Sequence, residues 1–134
     1  MRTLRIVNRR GGAVLGDRIL HADSWLTRLR GMLGRPAPGA GEGLMLTPCR
    51  AVHMLGMRYP IDVAFLDQAG VVIAIYPGLG PGAGTFWHRN ARHALELPSG
   101  ALAASGTVVG DRLSWSAADA RQAGRDGPQV EARL

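Results

Sequence analysis

Two apolar runs joined by a tight turn, Ile61-Asp62-Val63-Ala64-Phe65-Leu66 and Val71-Val72-Ile73-Ala74-Ile75-Tyr76, constrain this chain more than any other feature. β-Branched and aromatic residues dominate both, Gln68-Ala69-Gly70 turns the chain between them, and Pro60 separates the first from what precedes it. The pattern predicts a β-hairpin over residues 60–76.

The remaining apolar runs are equally short. Residues 4–7 and 13–20 read as strands around Gly11-Gly12, a second hairpin turn. Residues 43–46 form a short buried run, 51–55 resume extended structure, and 91–97 and 107–115 look like two more strands, with Pro98-Ser99-Gly100 marking a turn between them. One helix is expected: Asp23-Ser24 supplies an N-cap, positions 25, 26, 29, 32 and 33 are apolar at helical spacing, and Gly34 is a C-cap. With 19 Gly and 8 Pro, the chain is broken too often for long helices. Its 134 residues are enough to bury one core without disulfides or a structural metal. The expected fold is therefore mainly β (β-rich α+β), a compact antiparallel β-sandwich or barrel-like domain with one or two short helices. It spans residues 1–115, and the polar tail 116–134 is expected to be partly disordered.

Charge is unevenly spread. All 16 basic residues are arginine, a habit of GC-rich coding, and residues 1–35 hold eight of them against Asp17 and Asp23, so the whole net charge of +6 resides there. Focused positive charge can steer a protein to nucleic acid or an anionic surface. Arg2, Arg5, Arg9 and Arg10, however, lie among β-type residues and a turn with no aromatic interleaving, which argues against nucleic acid and for a solvated face. The single cysteine, Cys49, fits a reducing compartment, and no run is apolar enough for a leader or a membrane span, so a cytoplasmic location is expected.

Several separated motifs follow one another along the chain: Arg28, Gly31, Met32 and Leu33; Gly43-Leu44-Met45-Leu46; residues 60–67, Pro-Ile-Asp-Val-Ala-Phe-Leu-Asp; residues 94–100, Ala-Leu-Glu-Leu-Pro-Ser-Gly; then Gly106 and Gly110-Asp111. In these the chain resembles the bacterial and archaeal family known as domain of unknown function number 192, over roughly residues 13–115. The resemblance implies a β-rich sandwich or barrel-like fold and no agreed catalytic residues. Many members carry Trp-Met-Lys-Asn-Thr where this chain has His53-Met54-Leu55-Gly56-Met57, and many are exported. The resemblance is thus to a leaderless branch.

Cys49, His53 and Met57 are soft or borderline metal ligands at four-residue spacing. Four residues span about 13 Å in a strand and about 6 Å in a helix, so no metal is expected there. The same spacing keeps His53 from serving Cys49 as a base, and a lone cysteine is ordinarily a small buried apolar side chain. Asp62 and Glu96 both interrupt apolar strands, which makes them an acid/base pair or, preferably, structural anchors, with Arg58 the nearest partner for Asp62. The Gly-rich loop from Gly78 to Gly84 ends in Thr85-Phe86-Trp87-His88-Arg89, followed by Arg92 and His93; it lacks a phosphate-loop pattern. Its aromatics either plug one end of the barrel or stack on a ligand.

These residues support a small non-enzymatic ligand-binding or accessory module. Its candidate ligand surface joins the 78–93 loop to the 53–58 segment through His53, Arg58, Asp62, Trp87, His88 and Arg89, with no metal, cofactor or catalytic residue. The expected ligand is small and polar or anionic; no membrane is expected, and a protein partner is left open. Two alternatives remain: a small-molecule enzyme using His53 and Asp62, or Cys49, in a cleft, and a structural partner in a larger assembly.

Overall fold

The computed structural model describes residues 2–23 and 36–118. Among these, seven strands form one sheet: β1 (Arg2–Asn8), β2 (Val14–Ala22), β3 (Glu42–Leu46), β4 (Ile61–Leu66), β5 (Val72–Leu79), β6 (His93–Pro98) and β7 (Leu113–Ala117), with a single helical turn, α1 (Ala101–Ala104), between β6 and β7. The sheet order is β5-β4-β6-β3-β2-β1-β7. It curls into a half-barrel, so the expected mainly-β class is the observed one, in its barrel-like form. Both expected hairpins are present, β1–β2 and β4–β5. The β2–β3 pair is parallel, the others antiparallel. Parallel neighbours need a crossover; the helix expected at 25–33 falls in that connection and, like the tail from 119, lies outside the described residues.

Every strand sends side chains to the inside of the curl, where Leu4, Ile6, Ile19, Met45, Leu66 and Leu95 are buried together and Leu102 of α1 closes the cluster. The outer face of β3, β6 and β4 is apolar too, with Leu44, Ile61, Val63 and Phe65. It is covered by Val52, Met54 and Ala91 from two irregular segments, so β4 is buried along its whole length.

The curl closes at one end. Where β5 begins, Val72 donates to the Asp111 carbonyl at 2.8 Å and accepts from Gly110 at 2.8 Å, and Leu113 donates to the Gly70 carbonyl at 2.9 Å. Gly70 makes this possible: its φ is +85°, and a Cβ there would sit 2.6 Å from the Leu113 carbonyl oxygen. Gly70→Ala is expected to destabilise the chain by roughly 1 to 3 kcal/mol, read as a lower urea midpoint.

The strand expected over 107–115 begins only at Leu113, because the preceding residues turn around a polar knot. Asp111 accepts from Asn8 Nδ2 at 2.9 Å, Val108 N at 2.9 Å and Arg10 Nε at 2.6 Å, and Arg10 also reaches the Gly106 carbonyl at 2.7 Å. The Arg10 guanidinium holds the Asp111 carboxyl well below the usual carboxylate range. Arg10, part of the basic N-terminal third, is therefore spent on the fold.

Candidate functional site

The two segments that cover the outer face are tied to each other. His88 N donates to Arg50 O at 2.8 Å, Thr85 N to Val52 O at 2.9 Å, Met54 N to Ala83 O at 2.8 Å and Gly82 N to Met54 O at 3.0 Å. Val52 N closes on Thr85 Oγ1 at 3.0 Å, and His53 bridges Gly84. Residues 50–54 and 82–88 thus run as an antiparallel ribbon over the sheet. Alternation decides its faces: Val52 and Met54 go down into the core, while His53 and Leu55 are exposed.

The sequence expectation that the 78–93 loop and the 53–58 segment adjoin is therefore met in the ribbon. Phe86 and Trp87 do not plug the barrel; they are 82% and 70% exposed, and Leu55 is 75% exposed. Arg50, Arg58, Arg89 and Arg92 are exposed around them, and residues 43–61 and 68–95 contain no Asp or Glu. Arg50 Nε donates across the ribbon to the Arg89 carbonyl at 3.2 Å.

His88 and Asp62 have other work. His88 Nε2 lies 2.6 Å from the Tyr76 hydroxyl and its ring packs 4.6 Å from Phe65, pinning the ribbon to β5 and β4. Asp62, 1% exposed, lies on the inner side of β4, where it accepts from Gly78 N at 2.8 Å and Leu102 N at 3.0 Å. It anchors the end of β5 and the first turn of α1. Among the described residues the ion pairs are Arg10–Asp111 and Arg18–Asp17, so Arg58 is not its partner. Asp62 and Glu96 make no acid/base pair either. In the β4–β6 register Asp62 faces Leu97 and Glu96 faces Val63, which sets the two carboxyls on opposite sides of the sheet.

Glu96 sits between Leu44 and Val63, and its carboxyl makes no hydrogen bond or ion pair among the described residues. Burial pushes its carboxyl up to about 7. The Cys49 thiol donates to the Ala51 carbonyl at 3.2 Å, and the His53 ring makes no hydrogen bond among the described residues. Also among these, no three His, Cys, Asp or Glu side chains could hold a metal ion, and no helix is long and apolar enough to cross a membrane.

A second polar cluster escaped sequence reasoning because its members are far apart in the chain: His21 on β2, Thr47 just past β3 and His93 on β6. On the inner face, Thr47 Oγ1 lies 2.7 Å from His93 Nδ1 and 3.0 Å from His21 Nε2, the tautomer of each ring setting which partner donates. The His93 ring also meets Trp115 edge-on at 5.0 Å across the interior. Burial, with help from His21 and Arg92, lowers His93 to about 4, so it is neutral at pH 7. Its folded pKa is below the unfolded value of 6.5, so its contribution is present above pH 6.5 and lost as pH falls through about 4. Urea unfolding of a Glu96→Gln chain, from pH 7 down to 4, is expected to show a loss of roughly 2 to 3 kcal/mol from this residue. The same series with His93→Phe added should lose most of this dependence and keep only the weaker one from His21, which burial also lowers.

A family model for DUF192, described as Uncharacterized ACR, matches residues 6–115. A UPF0127 protein from Thermococcus sibiricus is 27% identical over 122 residues, 88% of this chain and 79% of that one. Among solved structures, a protein of unknown function from Novosphingobium aromaticivorans superposes with a TM-score of 0.72 at 21% identity, covering 84% of this chain and 83% of the other. A protein from Sinorhizobium meliloti, provisionally described as a transcription regulator, gives 0.68 at 22% identity, with 84% and 91% covered. At these identities the two structures speak for the fold alone.

Proposed function

Because the chain belongs to the DUF192 family, for which no activity is established, we propose its function from its own surface: a small non-enzymatic binding module that takes an anionic ligand on the ribbon of residues 50–58 and 80–92. One observation carries this reading. Phe86, Trp87 and Leu55 stay exposed on segments fixed by backbone hydrogen bonds, and residues 50–58 and 80–92 themselves carry four arginines and no acid. Leaving such side chains in water forgoes roughly 1.5 to 3 kcal/mol each, although an apolar core lies directly beneath. The enzymatic alternative needs His53 or Cys49 beside a carboxylate or second imidazole, and the positions of Asp62 and Glu96 give it no support.

The test is an NMR titration of the full chain with citrate, inorganic phosphate and polyglutamate. Shifts are expected at residues 50–58 and 80–92, with binding at least tenfold weaker in Trp87→Ala and an unchanged melting temperature for that exposed-site variant. Shifts elsewhere, or none with any of the three anions, refute the reading.

A further inference from the structure

We propose that the occupant of this ribbon is an extended acidic segment of a partner protein. Its apolar side chains would sit against Leu55 and against Phe86 and Trp87, and its carboxylates on the arginines at either end. The proposal rests on the binding reading above.

Spacing carries it. The Met54–Ala83 and His88–Arg50 hydrogen bonds mark the two ends of the ribbon. Leu55 lies just past the first, Phe86 and Trp87 just inside the second, so the apolar stations are separated by three to four residues of extended chain, about 10 to 13 Å. Between them the ribbon carries little bulk beyond the His53 imidazole. Gly82 and Gly84 present no side chain; a Cβ on Gly82 would meet nothing within 4 Å, and one on Gly84 only backbone, at 3.6 Å. A strand can therefore lie along this backbone with apolar residues three or four positions apart.

The charges have the matching layout. Arg58 follows the Leu55 turn, whereas Arg50, Arg89 and Arg92 cluster at the Phe86 end, so acids are wanted on both sides of the apolar pair. Arginine forks take carboxylates two bonds at a time, and aromatic side chains with arginine and without Asp or Glu are the composition of protein-recognition surfaces. A small ligand would need a concavity that buries most of it, whereas these side chains stand out from the surface. Membrane insertion gathers apolar groups at one tip; here the length of the ribbon and the His53 imidazole separate them. Single-stranded nucleic acid wants successive stacking rings, and Leu55 offers none.

A random dodecapeptide library displayed on phage and panned on the full chain tests this. Enriched peptides are expected to be acidic, with two apolar residues three or four apart. A synthetic representative should bind with micromolar affinity, at least tenfold weaker to Trp87→Ala and several-fold weaker to Arg58→Gln and to Arg89→Gln, and less tightly as salt rises. Phosphatidylglycerol vesicles and an oligothymidylate should bind at least tenfold less tightly than the peptide. The proposal is overturned if no such peptides are enriched, if Trp87→Ala binds them equally well, or if vesicles or oligonucleotide bind more tightly. Should polyglutamate titrate the ribbon while no acidic peptide is enriched, the peptide assignment falls and the binding reading stands. If neither occurs, both fall.

Discussion

Glu96→Gln is expected to raise the unfolding free energy by roughly 2 to 3 kcal/mol at about pH 8 and to leave it unchanged near pH 4. Glu96 is 4% exposed between Leu44 and Val63, and burial alone has raised its carboxyl from 4.5 to about 7. A folded pKa above the unfolded one means that the stability is fully present below about 4.5 and is lost as pH rises through about 7. Gln cannot ionise, so the variant escapes that loss. In the wild type His93 works in the opposite direction between about 4 and 6.5, and the two slopes largely offset each other there. Wild-type stability is therefore expected to be nearly level from about pH 4.5 to 6.5 and to fall beyond, whereas the variant should climb with pH and then hold. Urea midpoints measured over this range decide the matter. A variant no more stable than wild type at pH 8 would mean that the buried carboxylate is better compensated than its surroundings indicate.

Asp62→Asn is expected to lower stability by roughly 2 to 3 kcal/mol, with a fall in melting temperature on the order of 10 °C. Each carboxylate oxygen accepts one backbone N–H, from Gly78 and from Leu102. An amide keeps one acceptor and turns its own N–H2 towards the other donor. Two buried donors then face each other without an acceptor, and each carries a desolvation penalty. Asp62→Ala, which orphans both backbone amides and leaves a cavity, should lose more. Because Asp62 lies on the inner side of β4, the Asn variant should bind polyglutamate with unchanged affinity, and a binding loss at unchanged melting temperature would return Asp62 to the ligand surface.

Local pattern made much of this molecule legible. Val72–Leu79 and Ile61–Leu66 pair as a hairpin because β-branched runs flank a three-residue turn, and Arg2–Asn8 pairs with Val14–Ala22 around Gly11-Gly12 for the same reason. The composition of residues 78–93 marked a loop but left open whether its aromatics plug the barrel or meet a ligand; in the structure Phe86, Trp87 and Arg89 are exposed, as are His53 and Arg58 of the facing segment. For His88, the sequence shows only a polar residue after an aromatic; its contact with Tyr76 comes from twelve residues away. The four-residue α1 went unread because Ala-Leu-Ala-Ala after Gly100 is too short for helical periodicity.

The sequence by itself determined which segments are extended, where the chain must turn, that one face of Ile61–Leu66 carries a carboxylate, and that the ribbon segments hold arginine without acid. Such properties follow from side-chain branching, glycine freedom and counted charge, all local to the chain. Only the tertiary structure decided that β6 inserts between β3 and β4, that Gly70 meets Leu113 to close the curl, and that His21, Thr47 and His93 share a hydrogen-bonded chain. It also decided that Asp62 and Glu96 face opposite ways and that Phe86 and Trp87 remain in water. Each of these depends on strand order and register between residues far apart in sequence, and a shift of one residue in register would send every such side chain to the other face.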